Sequence, residues 1–286
     1  MLRGEPMLTE LSYHELTNLK ELKQLRQRRQ VLIPQVFDKS SIINAWKEAR
    51  DVLAPMVHNV LSVIWEYQDT GRRILGEGAQ GALLDLDLGG FPFVTSSHPT
   101  VAGFSLGTGI QDSAISRVIG VSKAFSTRVG GGPLVTQLEG ELAHRLRGTG
   151  ENPWDEYGAT TDRPRRVGWL DAVALRYGMR IAGIRELALT KLDILSGLDT
   201  LRICTQYDYG GTPVEEMTTW NPEIIGRAVP VYEDLPGWTE DISQVRNFGD
   251  LPPNARNYVR RVSELTKRPV KMVSVGPVRG DTIHLD

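Results

Sequence analysis

Residues 158 to 169 read Gly-Ala-Thr-Thr-Asp-Arg-Pro-Arg-Arg-Val-Gly-Trp and set three guanidiniums, Arg163, Arg165 and Arg166, close behind two hydroxyls, Thr160 and Thr161. A guanidinium is a rigid, permanently charged fork that grips a carboxylate or phosphate through two bonds at once. The small and turn-forming residues around it, Gly158, Ala159, Pro164 and Gly168, put the segment on a loop. Two readings stand side by side. One is an anion clamp completed by threonine hydroxyls and backbone N–H groups; the other is a solvated basic turn.

A second candidate lies further on. Leu187 to Leu189 form a short apolar run that ends in Thr190-Lys191-Leu192-Asp193. At the end of a buried strand, the aspartate can accept from the ring N–H and exocyclic amine of a guanine while the lysine stem packs on the ring. An ordinary strand-end ion pair fits the same four residues. Glycine-rich or hydroxyl-rich loops supply a third kind of signal. Gly76-Glu77-Gly78-Ala79-Gln80-Gly81, Thr95-Ser96-Ser97-His98 and Gly130-Gly131-Gly132-Pro133 are each permissive turns where backbone can approach a ligand. Three such loops argue for a binding face better than one does.

The elements that must position these loops follow from periodicity. Residues 8 to 30 predict a basic amphipathic helix, with leucines at 16, 19, 22 and 25, and with a solvated face rather than a membrane surface. A second helix is expected from Ser40 or Ser41, striped by Ile43, Trp46, Leu53, Val60 and Ile64 and kinked or split at Pro55. From Arg72 the pattern changes to short apolar runs closed by glycines. Strands are expected at Ile74-Leu75, at 123–129, at 187–189 and at 270–275, and helices at 169–184 and 253–267. This alternation predicts an α/β fold, with residues 1–70 as a helical segment packing on a main domain of residues 71–286.

Composition excludes more than it proposes. The 286 residues carry a formal net charge of -2, which gives no reason to expect nucleic acid or an acidic membrane as partner. Cys204 is the single cysteine, so no intrachain disulfide can form, in keeping with a reducing cytoplasm. The five histidines are scattered, and no cluster has zinc-ligand spacing. No signal-peptide pattern follows Met1, and no apolar run is long enough for a membrane span.

Several motifs in register resemble one family. Glu77 to Gly81 through Leu84-Asp85-Leu86-Asp87, Pro92 to Ser97, Thr127 to Gly130, Gly158 to Trp169, Thr190 to Asp193 and Ser274 to Pro277 occur in the order found in bacterial adenylosuccinate synthetases. The segments Leu235 to Trp238 and Tyr258 to Thr266 are similar to that family too. The resemblance implies a large, mainly parallel sheet flanked by helices, related to P-loop NTPases, and a GTP-dependent ligase of AMP (purine) biosynthesis. In such enzymes GTP phosphorylates the 6-oxygen of IMP, and the amino group of L-aspartate displaces the phosphate to give adenylosuccinate. It further implies IMP contacts at Gln80, Thr95, Val129 and Arg163, and an aspartate loop of Ala159, Thr160, Thr161, Asp162, Arg163, Pro164 and Arg165. GTP contacts are implied at Arg165, Lys191, Leu192, Asp193, Ser274, Val275 and Gly276. A cytoplasmic homodimer and Mg²⁺ as cofactor complete what the resemblance implies.

Two departures stand out. The family's phosphate loop, Gly-Asp-Glu-Gly-Lys-Gly-Lys, holds its catalytic aspartate, but this sequence contains no Gly-Lys dipeptide. The resemblance therefore implies an N-terminally truncated member with no catalytic residue identified in this chain, the ligands of Mg²⁺ falling in the missing segment. The alternatives are a purine-nucleotide- and aspartate-binding remnant without turnover, one half of a split enzyme, or a structural partner of an intact one. The second departure is Asp162, which stands where the family has glycine. A carboxylate at about 6 Å from a dicarboxylic substrate repels it by roughly 3 kcal/mol at an effective dielectric near 20. The expectation is weaker aspartate affinity or an outward-pointing Asp162.

Overall fold

A proline divides the first helical stretch. In the computed structural model, which describes residues 39–158 and 162–285, α1 (Lys39–Leu53) gives way to a 3₁₀ turn at Ala54–Met56, and α2 (Val60–Asp69) follows. Pro55 has no N–H to continue the ladder and its ring clashes with the preceding turn, so the break falls where the sequence puts it. The striping residues Ile43, Trp46, Leu53 and Val60 are exposed, and Ile64 is half-buried. The basic helix expected over residues 8 to 30 lies outside the described residues. The chain divides into two compact units, Met1–Glu66 and Tyr67–Asp286.

Within the second unit, the apolar run at Leu187 becomes the inner strand of a four-stranded sheet. Its strands are β1 (Ile119–Lys123), β5 (Glu186–Thr190), β9 (Val270–Ser274) and β10 (Thr282–His284), in that order. The first three run parallel and β10 is antiparallel. Leu187, Ala188 and Leu189 are all buried, as both faces of a parallel strand require. The register sets Lys123 opposite Thr190 and Leu189 opposite Val273. The carboxyl ends of β1, β5 and β9 thus open on one edge, where α/β sheets present their ligand-binding loops.

A second sheet is built on β6 (Leu198–Asp208), with β8 (Val229–Trp238) antiparallel along one edge and, on the other, β4 (Leu170–Asp171) parallel and β7 (Pro213–Val214) antiparallel. Helix α5 (Ala172–Ile181) starts at Asp171, whose carboxylate accepts from the Ala174 N–H at 2.9 Å. Helix α7 (Pro253–Thr266) starts on a proline, which fits the first turn because no N–H is needed there. Tyr258 of α7 reaches the first sheet, donating its hydroxyl to the Ala124 carbonyl at 2.6 Å. Leu189, Leu192, Leu201, Ile203, Trp238 and Val262 form the core between the layers. Shorter elements complete the unit: α3 (Val101–Thr108), α4 (Gly140–Arg147), α6 (Pro222–Ile225) and a β2–β3 pair (Ser126–Arg128 with Arg166–Gly168).

The α/β class agrees with the sequence, and so do both long helices and the strands at 187–189 and 270–275. The strand expected at 123–129 is two, β1 and β2, separated at Ala124-Phe125, both buried. The strand expected at Ile74-Leu75 is absent: the segment pairs with no neighbour, and Leu75 is 93% exposed. The second sheet is not legible in the sequence at all.

Candidate functional site

Glu156 is the electrostatic centre of the edge where the parallel strands end. Its side chain is fully buried, and Oε2 accepts from Lys123 Nζ at 2.6 Å and from Arg165 Nη1 at 2.8 Å. Its Oε1 accepts from Lys191 Nζ, which also donates to the Trp154 carbonyl at 2.6 Å. Lys123 ends β1, Lys191 follows β5, and Arg165 precedes β3. Main-chain bonds hold the carboxylate independently of its cations: Glu156 N–H donates to the Arg147 carbonyl at 2.7 Å, and Arg165 N–H to the Glu156 carbonyl at 2.9 Å. Burial alone would raise the Glu156 carboxyl, but Lys123 and Lys191 outweigh it and hold it below the ordinary value. Burial pulls Lys123 down to about 8, with Glu156 opposing the shift and Arg165 and Lys191 adding to it.

One carboxylate faces three cations here, so the cluster carries a surplus of two positive charges while Lys123 is protonated. That surplus, at the carboxyl ends of parallel strands, suits anionic ligands. Sequence reasoning missed both Glu156 and Lys123. The available signal was weak: an acid two residues before the arginine loop, and a lysine closing an apolar run.

The Thr190 to Asp193 turn and the Ser274 to Gly276 loop come together, as their shared motif reading requires. Lys191 has a left-handed backbone (φ 61°), which turns the chain sharply after β5. The Leu192 N–H then donates to the Ser274 carbonyl at 3.1 Å, while Ser274 Oγ donates to the Gly276 carbonyl at 2.7 Å. Gly276 cannot carry a side chain, because a Cβ there would stand 2.3 Å from Asp281 Oδ2. Asp281 is itself held by Arg246 at 2.8 Å. Leu192 and Val275 are buried, whereas Asp193 is half-buried. Burial raises the Asp193 carboxyl; Lys191 opposes this, and Asp281 and Asp241 reinforce it. Leu192 and Val275 therefore present only backbone at this edge.

Gln80, Thr95 and Val129 lie on loops tied to the same edge. Ser97 Oγ donates to Gln80 Oε1 at 2.9 Å and lies 3.3 Å from Thr95 Oγ1. Gln80 also has a left-handed backbone, at φ 63°. Beneath them the buried Asp85 accepts from the Asp87 and Leu88 N–H groups at 3.0 and 2.9 Å and contacts His98 Nδ1 at 3.2 Å. Arg128 joins this loop to the next, donating to the Phe93 carbonyl at 3.0 Å and the Gly131 carbonyl at 2.7 Å. Lys123 Nζ donates to Thr127 Oγ1 at 2.8 Å, which links the Val129 loop back to the Glu156 cluster.

The three guanidiniums of the expected clamp go different ways. Arg165 sits on Glu156. Arg166 binds the Gly130 and Gly132 carbonyls at 2.9 and 2.7 Å and Gln137 Oε1 at 3.1 Å, so it supports a loop and does not face an anion. Its position opposite Arg128 in the β2–β3 pair explains this, since the strand turns it toward the glycine loop. Arg163 and Pro164 are exposed, at the mouth of a hairpin closed by Gly158 N–H donating to the Arg163 carbonyl at 2.9 Å. Asp162 is exposed with a left-handed backbone (φ 49°), a conformation glycine adopts freely and aspartate tolerates. Ala159, Thr160 and Thr161 lie outside the described residues.

Two concavities lie elsewhere. One of about 330 Å³ is lined by residues including Leu198, Trp238 and Asn254, and one of about 310 Å³ by residues including Arg176, Glu233 and Arg261. Neither holds a residue of the cluster or the loops, and the candidate site is an open edge. Among the described residues no three His, Cys, Asp or Glu side chains gather as a metal site. Mg²⁺ is commonly held by substrate phosphates with one or two carboxylates and needs no such cluster, and no step is assigned to it here. No described helix is long and apolar enough to cross a membrane.

Comparison with known proteins gives a consistent result. The adenylosuccinate synthetase family model matches residues 7–283. The adenylosuccinate synthetase of Brevibacillus brevis is 46% identical over 247 residues, and that of Bacillus cytotoxicus 46% over 246. Each alignment covers 86% of this chain and 56% of the relative, so the chain spans little more than half the length of these proteins. The fully ligated adenylosuccinate synthetase of Plasmodium falciparum superposes with a TM-score of 0.84 at 35% identity, covering 93% of this chain and 63% of that one.

Proposed function

The chain belongs to the adenylosuccinate synthetase family, and from that premise we propose that it serves the GTP-dependent ligation of IMP and L-aspartate to adenylosuccinate. The single observation that carries this reading is the arrangement at the sheet edge. Two loops distant in sequence, Thr190 to Asp193 and Ser274 to Gly276, meet beside a cationic cluster that includes the arginine of the 158–165 loop.

In this reading Asp193 accepts from the guanine N1–H and 2-amino group, and the Lys191 stem covers the base. The Ser274–Gly276 backbone passes beneath the base. Arg165 spans the GTP and aspartate sites. Arg163 meets aspartate and IMP from the loop that also holds Ala159, Thr160, Thr161, Asp162 and Pro164. Gln80, Thr95 and Val129 face IMP. Phosphorylating the IMP 6-oxygen makes it a leaving group that the aspartate amine can displace, and fixed cations disperse the charge that develops on the transferred phosphoryl group. These 286 residues contribute binding and charge to that chemistry. We propose likewise a cytoplasmic protein that works as a homodimer or together with the segment its relatives carry beyond the match.

A second reading is binding of purine nucleotide and aspartate without turnover; it is weighed because these 286 residues hold no Gly-Lys dipeptide, the mark of the family's phosphate loop. Adenylosuccinate formation from Mg²⁺-GTP, IMP and L-aspartate, followed by ultraviolet absorbance, separates the two. The assay compares this chain alone with the chain mixed with the part of a curated relative that it does not span. Product in the mixture supports the ligase. Bound ligands with no product in either sample support the binding protein, and product from the chain alone would show that another group here replaces the phosphate loop.

A further inference from the structure

Glu156 is assigned no role by the family motifs quoted above, yet it touches the side chains of two residues that are. Resting on the proposed roles of Arg165 and Lys191, we propose that Glu156 is the positioning residue that holds the guanine-site lysine and the aspartate/GTP-site arginine in one fixed arrangement, with Lys123 as a third cation on the same carboxylate.

The two oxygens divide the work. Oε1 takes Lys191, and Oε2 takes Lys123 at 2.6 Å and Arg165 at 2.8 Å. The carboxylate side chain is 1% exposed, whereas those of Lys123, Arg165 and Lys191 are 25%, 28% and 24% exposed. The cations can therefore reach a ligand, and the acid cannot. An unpaired carboxylate in that position would be costly, so it persists ionised because the three donors satisfy it. Three cations this close would in turn repel one another without it, and each long side chain has open solvent to swing into. The acid thus removes one unit of repulsion, pins three flexible stems and leaves two positive charges for the ligands. Because Arg165 and Lys191 come from loops before β3 and after β5, no single loop can set their spacing; Glu156 does so directly.

The test is calorimetric titration of the chain with GDP and, separately, with IMP, in four forms: wild type, Glu156→Gln, Lys191→Met and the double variant. Glu156→Gln keeps size but turns one of its acceptors into a donor facing a cation. Expected is a tenfold or greater loss of GDP affinity in Glu156→Gln with IMP affinity little changed, alongside a lowered melting temperature from three cations left without their carboxylate. The double variant should lose less than the product of the two single losses, because both act on the same lysine. Glu156→Asp, which keeps the charge on a shorter stem, should recover part of the loss, and it serves as the test variant if the amide fails to fold. Unchanged GDP affinity in Glu156→Gln, multiplicative losses, or equal losses for GDP and IMP would each overturn the positioning role while leaving the proposed function intact. A wild-type chain that binds no GDP would overturn the reading on which the role rests.

Discussion

Replacing Asp193 by asparagine should convert a guanine site into a xanthine site. The carboxylate lies half-buried at the turn after β5, beside Lys191 and with the Ser274–Gly276 loop against the turn. In the proposed pose it accepts two bonds, from N1–H and from the 2-amino group. A hydrogen bond to a charged group contributes about 1.5–3 kcal/mol, and 1.4 kcal/mol is tenfold in affinity. Wild-type chain should therefore bind IDP, which lacks the 2-amino group, about 10- to 150-fold more weakly than GDP. Asp193→Asn keeps one acceptor for N1–H but loses the charge and sets a donor against the 2-amino group, so GDP affinity should fall at least as far. Xanthosine diphosphate presents a 2-oxo group that the new amide can donate to, and it should become the preferred ligand. Burial raises the Asp193 carboxyl, so wild-type GDP affinity should also start to fall on acidification at a higher pH than an ordinary aspartate would give. Competitive titration with GDP, IDP and xanthosine diphosphate reads all of this. Equal affinity of wild-type chain for GDP and IDP would refute the base-recognition role of Asp193.

Three further outcomes are expected. Asp171 is buried, and burial pushes its carboxyl up to about 6 against the opposing bonds from Ala174 and Tyr207. Because the folded-state value is raised above the ordinary 3.8, its protonation stabilises the fold fully only below about pH 3.8, and that stabilisation is lost as pH rises through about 6, by about 3 kcal/mol in all. Asp171→Asn should flatten this slope in urea unfolding between pH 4 and 7; parallel curves for the two proteins would refute it. Asp162→Gly relieves a left-handed backbone and removes an exposed charge, so screening limits the gain in aspartate KM to less than about tenfold in a mixture that forms adenylosuccinate. An unchanged KM would show that Asp162 does not repel the substrate. Val121 is 75% exposed on β1, an edge strand of the first sheet, and Val121→Lys should reduce self-association in sedimentation runs, since charge on an edge blocks strand pairing. Identical sedimentation of the two would remove the edge as the cause.

Much of the positioning scaffold was legible because it is local. Leu187–Leu189 and Val270–Val275 read as buried strands from apolar runs, and Pro253 marked the start of α7. The loops that end those strands carried the motif residues, so the meeting of Lys191–Asp193 with Ser274–Gly276 follows from two adjacent parallel strands. The second sheet was hidden for physical reasons. In β6 the buried residues Leu201, Ile203, Cys204 and Tyr207 lose their period of two because the register shifts between Cys204 and Gln206. In β8, Pro230 and Pro236 argue against a strand, and they are tolerated because β8 pairs only with β6. The Glu156 cluster was hidden for a different reason. Its members come from positions 123, 156, 165 and 191, and no local pattern can reveal a contact made only when three distant cations close on one carboxylate. Arg166 shows the converse, an arginine that reads as a ligand group by spacing and is spent on the Gly130 and Gly132 carbonyls.

The most direct test of the central claim is titration of the purified 286-residue chain with IMP in the absence and presence of saturating GDP. Separate guanine and IMP sites predict one equivalent of each ligand bound, with IMP still binding when GDP is saturating. Competition between GDP and IMP for one site, or no heat from either, would contradict the assignment of the two faces and with it the proposed function.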